Sequence, residues 1–124
     1  MNFGNISAGA LPGTVQLTPA GSRTWNGNVT LPAETGTVAA ASFQVSGEPN
    51  LTYSISLPSN ALTIANGSEV MTVAVFASDP PNIGTLGPDG LQTLNIGATL
   101  SVGASQPEGN YLSVNPFAVT VNYN

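Results

Sequence analysis

Few side chains in this sequence could carry acid–base, nucleophilic or metal chemistry. His, Lys and Cys are absent, so the acid–base candidates that remain are six carboxylates: Glu34, Glu48, Glu69, Asp79, Asp89 and Glu108. Proton transfer at neutral pH generally relies on His, a tuned carboxylate or Lys, and only the second is on hand. Nearly all six acids lie in Gly-, Pro- and Asn-rich stretches that read as turns, where a solvated carboxylate is ordinary. A carboxylate pair for glycoside hydrolysis must sit roughly 5–9 Å apart in a cleft, and nothing in the spacing brings two together. Serine is plentiful but has no base to activate it. Asp79 and Asp89, with Asn82 between them, offer oxygen ligands of the kind calcium takes. Their spacing fits no standard calcium loop, and Gly87-Pro88-Asp89-Gly90 is a turn sequence. The expectation is no catalytic residue, no metal and no cofactor. One other candidate is aromatic: Trp25, two residues from the sole base Arg23, with Tyr111 elsewhere, could form a stacking platform for a sugar. The plainer reading is a Trp packed at the rim of a β core.

Composition narrows the function classes. Charged residues make up 6 % of the 124 residues and the net charge is −5, against about 25 % charged in an ordinary soluble domain. One Arg cannot neutralise a run of phosphates, so nucleic-acid binding is excluded, and an anionic membrane surface is disfavoured for the same reason. No apolar run approaches the ~20 residues of a membrane span. Without Cys the fold must stand on its core or on partner subunits. Four Asn-x-Ser/Thr sequons, at Asn5, Asn28, Asn50 and Asn66, are what a chain rich in these residues produces by chance. The Thr/Asn/Ser/Gly-rich, Lys-free surface reads as extracellular, and a leader is expected ahead of Met1.

The elements that must position these residues are strands. No stretch of ten residues has helical periodicity, while ten Pro and fourteen Gly punctuate the chain at short intervals, the pattern of an all-β sandwich or barrel in one domain spanning 1–124. The clearest alternation runs through Leu94, Ile96, Ala98, Leu100 and Val102, and again through Phe117, Val119, Val121 and Tyr123. With the turn Ser105–Asn110 between them, these read as a long antiparallel hairpin of 92–103 with 116–124. Burying Leu94, Ile96, Leu100 and Val102 contributes roughly 1.5–3 kcal/mol each. A second hairpin is expected from 38–46, with Ala39, Ala41, Phe43 and Val45 inward, and 51–57, with Leu51, Tyr53, Ile55 and Leu57 inward. Shorter strands are expected at 14–18 and 28–31, with the tail of a first strand over 2–7 and a turn region at 19–27. Asn66-Gly67 should close a tight hairpin of 61–64 with 69–77, two residues taking positive φ. The inward set of that last strand shifts from Met71 and Val73 to Phe76, as a β-bulge would make it. Residues 79–90 read as a loop, and the total is eight or nine strands.

Several segments are familiar in combination. They are Asn2-Phe3-Gly4, Gly13-Thr14-Val15 followed by Pro19 and Arg23, Phe43-Gln44-Val45-Ser46-Gly47, and Tyr53-Ser54-Ile55-Ser56-Leu57-Pro58. Further along come Met71-Thr72-Val73, Ile96-Gly97-Ala98-Thr99-Leu100, Gln106-Pro107-Glu108-Gly109-Asn110-Tyr111 and the closing Phe117-Ala118-Val119-Thr120-Val121-Asn122-Tyr123. In this order, across nearly the whole chain, they resemble a family of secreted bacterial β-sandwich proteins of formally unknown function. That family is in turn similar to spore-coat-U-type and archaic chaperone–usher pilin subunits.

The resemblance implies an immunoglobulin-like, pilin-like sandwich that lacks one strand and polymerises by donor-strand complementation with other copies of itself or is held by an assembly chaperone. Family members carry an alternating strand ahead of the Phe-Gly, whereas Met1 and Asn2 alone precede it here. The expected outcome is a sheet edge beside 117–123 that another chain fills. The residues implied for the groove and interface are Phe3, Phe117, Val119, Val121 and Tyr123. The leading expectation is thus a non-enzymatic subunit of a bacterial surface fibre or coat. The alternative is a cell-surface carbohydrate-binding or adhesin module using Trp25 and Arg23, and a carboxylate hydrolase ranks last.

Overall fold

A computed structural model describes residues 1–113 and 117–124. The described residues form strands and loops with no helix. The segments are β1 (Asn2–Phe3), β2 (Ser7–Leu17), β3 (Arg23–Thr30), β4 (Val38–Ala39), β5 (Ala41–Ser46), β6 (Thr52–Ser56), β7 (Leu62–Asn66), β8 (Glu69–Asp79), β9 (Ile83–Thr85), β10 (Leu91–Val102), β11 (Leu112–Ser113) and β12 (Thr120–Tyr123). All pairings are antiparallel and the sheets do not close into a barrel. The large sheet runs β11-β7-β8-β10-β2-β3, with β5 also on β10; a small sheet runs β12-β6-β9; β1 pairs with β4.

β10 organises the large sheet. Leu94, Ile96, Ala98, Leu100 and Val102 are all buried on its inner face, as the alternation demands. One edge of β10 holds β8. The other holds β5 along 91–96 and then β2 along 98–102. Gly97 stands at this handover. A Cβ there would lie 2.0 Å from the Leu17 carbonyl oxygen, so only a residue without a side chain lets β2 leave the ladder as β5 enters.

The core has two halves. One gathers Val15, Val29, Val73, Ala98, Leu100 and Val102, with Phe3, Ile6 and Leu31 packed against it. The other gathers Ala41, Val45, Leu94 and Ile96 of the large sheet against Tyr53 of β6 and Leu86, with Ile55, Phe117, Val119 and Val121 around it. The small sheet therefore lies face to face with one half of the large one, a sandwich-like layering. Phe76 touches both halves. The bulge expected in β8 is there: Val75 and Phe76 together stand opposite Ala98, between the pairs Ala74–Thr99 and Ala77–Gly97. Val75 takes φ of +52° and points to solvent, which returns Phe76 to the inside.

Several expectations are corrected. The long hairpin of 92–103 with 116–124 does not form: β10 and β12 belong to different sheets, and the chain between them crosses to β7, where it adds β11. Pro116, the expected start of the last strand, lies outside the described residues. The hairpin of 38–46 with 51–57 does not form either, because β5 joins β10 while β6 joins β12 and β9. Phe43 is half-exposed at 41 % rather than core. The 19–27 turn region is mostly strand β3, which pairs with all of the second half of β2. The 79–90 loop contains β9, which pairs with β6. The 66–69 hairpin forms, but its central residues are Gly67 and Ser68 and only Gly67 takes positive φ, at +63°.

Candidate functional site

Among the described residues no group of three or more His, Cys, Asp or Glu is placed to hold a metal. Asp89 Oδ1 accepts the Leu91 N–H at 3.1 Å and so closes the turn that delivers the chain into β10.

The sequence-designated residues fall into two places. Phe117, Val119 and Val121 line the small-sheet half of the core. Phe117 sits at the seam, its ring centroid 5.3 Å from Phe76 and 6.3 Å, edge-on, from Phe43. Tyr123 is half-exposed and its hydroxyl donates to the Ser46 carbonyl oxygen, tying the end of β12 to β5. Phe3 packs against the other half of the core. Its strand β1 pairs with β4, and Arg23 Nη1 donates to the carbonyl oxygens of Phe3 and Asn5 at 2.8 and 2.7 Å. Arg23 thus holds down the N-terminal segment.

β12 is an edge. It pairs with β6 through Thr120–Ser56, Val121–Ile55, Asn122–Ser54 and Tyr123–Tyr53. The Asn124 N–H donates to the Thr52 carbonyl oxygen, which sets the phase of the ladder. Residues two apart share a phase, so Asn122 and Thr120 also turn their backbone groups toward β6. Val121 and Tyr123 therefore direct N–H and C=O away from it, and among the described residues no strand meets them. Behind the edge, the Tyr53 ring is fully buried and its hydroxyl donates to Gln92 Oε1. Burial pushes the Tyr53 phenol pKa up, and the neighbouring Tyr123 adds to the shift.

The outer face of the large sheet is the second feature. Cross-strand partners share a face, so the registers place Thr63, Thr72, Ser101, Thr14 and Asn26 in one row across β7, β8, β10, β2 and β3. Ala74, Thr99, Gln16 and Thr24 make the next row. Two depressions share Thr14. The first, about 480 Å³, is lined by Pro12, Val70, Thr72, Ser101 and Gln106 besides Thr14. The second, about 290 Å³, is lined by Gln16, Thr24, Asn26 and Thr99, with Trp25 of β3 between them; its pairing with the buried Val15 turns the Trp25 side chain, 59 % exposed, to the opposite face of this edge strand. Trp25 was legible as a candidate. The polar rows were not, because each is assembled from residues far apart in sequence.

No curated protein and no solved structure matches the chain. A family model described as a domain of unknown function, DUF4402, matches residues 1–123, and the chain belongs to that family.

Proposed function

We propose that this chain is a non-enzymatic structural subunit of a bacterial surface fibre or coat, joined to its neighbours by β-strand addition along β12. The observation that carries this reading is the outward-facing backbone of Val121 and Tyr123 on the terminal strand of the small sheet. An edge of this kind templates a further strand, and main-chain bonds supply the affinity while side chains fill adjacent pockets. Phe117, Val119 and Val121 are only partly covered, so an added strand has apolar surface to bury beside the bonds. On this reading the layers form an immunoglobulin-like, pilin-like sandwich completed by a strand from another copy or from an assembly chaperone. The protein acts outside the cell after export. The lack of Lys and the scarcity of charge suit a surface that packs repeatedly against itself.

Hydrogen exchange tests it. The Asn122 and Asn124 amides should be protected in the isolated subunit, whereas those of Val121 and Tyr123 should exchange freely. In assembled, SDS-resistant material all four should be protected. Assemblies in which Val121 and Tyr123 still exchange freely would show that copies join elsewhere.

A further inference from the structure

The outer face of the large sheet has a chemistry unrelated to the β12 edge. From the two rows and the two adjoining depressions we infer that this face binds a neutral oligosaccharide. The lining side chains are hydroxyls and amides: Thr14, Thr24, Thr72, Thr99, Ser101, Gln16 and Asn26. Among the described residues none of these seven is hydrogen-bonded by its side chain within the chain, so their donors and acceptors face outward unspent. No carboxylate or cation lines either depression. A charged ligand would have to give up hydration with nothing to offset it, whereas a neutral polyhydroxyl ligand exchanges water bonds for equivalent ones. Apolar surface on which a sugar C–H face can rest lies at one end, where Val70 is 53 % exposed beside Pro12.

Spacing favours an extended ligand over a single sugar. Neighbouring strands lie about 4.8 Å apart, close to the length of one β-1,4-linked pyranose unit. A chain laid along the row Thr72, Ser101, Thr14, Asn26 therefore meets one hydrogen-bonding side chain per sugar. The face is also bent rather than flat. Bulges in β8 at Val75–Phe76 and in β2 between Ala8 and Gly13 curve the strands on either side of the rows.

The test is titration of the isotopically labelled full chain with hexasaccharides of β-1,4-linked glucose, xylose and N-acetylglucosamine, with a polygalacturonate hexamer as the charged control. The expected result is binding of at least one neutral hexamer and none of the uronate. Amide shifts should be confined to 12–16, 24–26, 70–74 and 99–103. Thr99→Val, isosteric, and Gln16→Ala, exposed, should each lower affinity about tenfold, with spectra otherwise unchanged. The β12 variant Val121→Pro should bind sugar as the wild type does, which keeps this result separate from the fate of the edge reading. The inference is overturned by shifts mapping elsewhere, by binding of the uronate alone or by no binding of any hexamer. Shifts on this face that track protein concentration without sugar would also overturn it, because they would mark a contact between copies.

Discussion

A proline scan of β12 separates the two sides of one strand. Val121 points its backbone N–H outward, whereas Asn122 points its N–H at the Ser54 carbonyl oxygen. A strand docked on the free edge can form up to four backbone bonds with Val121 and Tyr123. At roughly 0.5–1.5 kcal/mol net per bond they contribute about 2–6 kcal/mol to assembly. Val121→Pro removes one donor and leaves the incoming carbonyl desolvated without a partner, a penalty of about 1–3 kcal/mol. That lowers the association constant by roughly ten- to a hundredfold. Its own fold loses little, because edge strands accept proline where the N–H faces solvent. Asn122→Pro breaks a bond inside the ladder and should cost the isolated subunit about 3 kcal/mol. Urea denaturation reads the cost to the isolated subunit as a midpoint shift; light scattering and SDS resistance read assembly. The expected pattern is Val121→Pro folded but monomeric, and Asn122→Pro destabilised. Val121→Pro that assembles with wild-type concentration dependence would refute strand addition at this edge.

Other perturbations test the rest of the construction. Gly97→Ala forces a Cβ to within 2.0 Å of the Leu17 carbonyl oxygen, and separating β2 from β10 should cost about 3 kcal/mol or more by chemical denaturation. Val75 holds φ of +52° on an exposed bulge; Val75→Asn, which tolerates that conformation, should raise stability by about 1 kcal/mol. Tyr53 titrates above its ordinary 10.0 in the fold because its neutral form is favoured there. Its contribution to stability is therefore complete below pH ~10 and is lost as pH rises through the raised value. Absorbance titration should show a tyrosine step above pH 10, and Tyr53→Phe should abolish that step while costing about 1 kcal/mol for the bond to Gln92.

Much of this protein was legible from local pattern. The all-β class, the inward residues of β10 and β6, the 66–69 hairpin and the β8 bulge each depend on neighbours within a few positions. A period of two reports which face a residue takes, and Gly67 reports a turn, wherever the strand ends up. Phe117, Val119 and Val121 were likewise readable as partly buried side chains. What the strands pair with was not readable. β10 and 117–123 look like a hairpin because both alternate cleanly, and alternation carries no label for the partner. Tertiary structure sends the intervening chain across to β7, puts β12 in the opposite layer and so leaves Val121 and Tyr123 on an edge. Arg23 shows the same division: its isolation as the only base is plain in the sequence, and its use on the Phe3 and Asn5 carbonyls is not. The polar rows follow suit. Thr14, Asn26, Thr72 and Ser101 are each an outward residue of an alternating strand. Register across strands, set by the packing of the opposite face and by the two bulges, lines them up side by side.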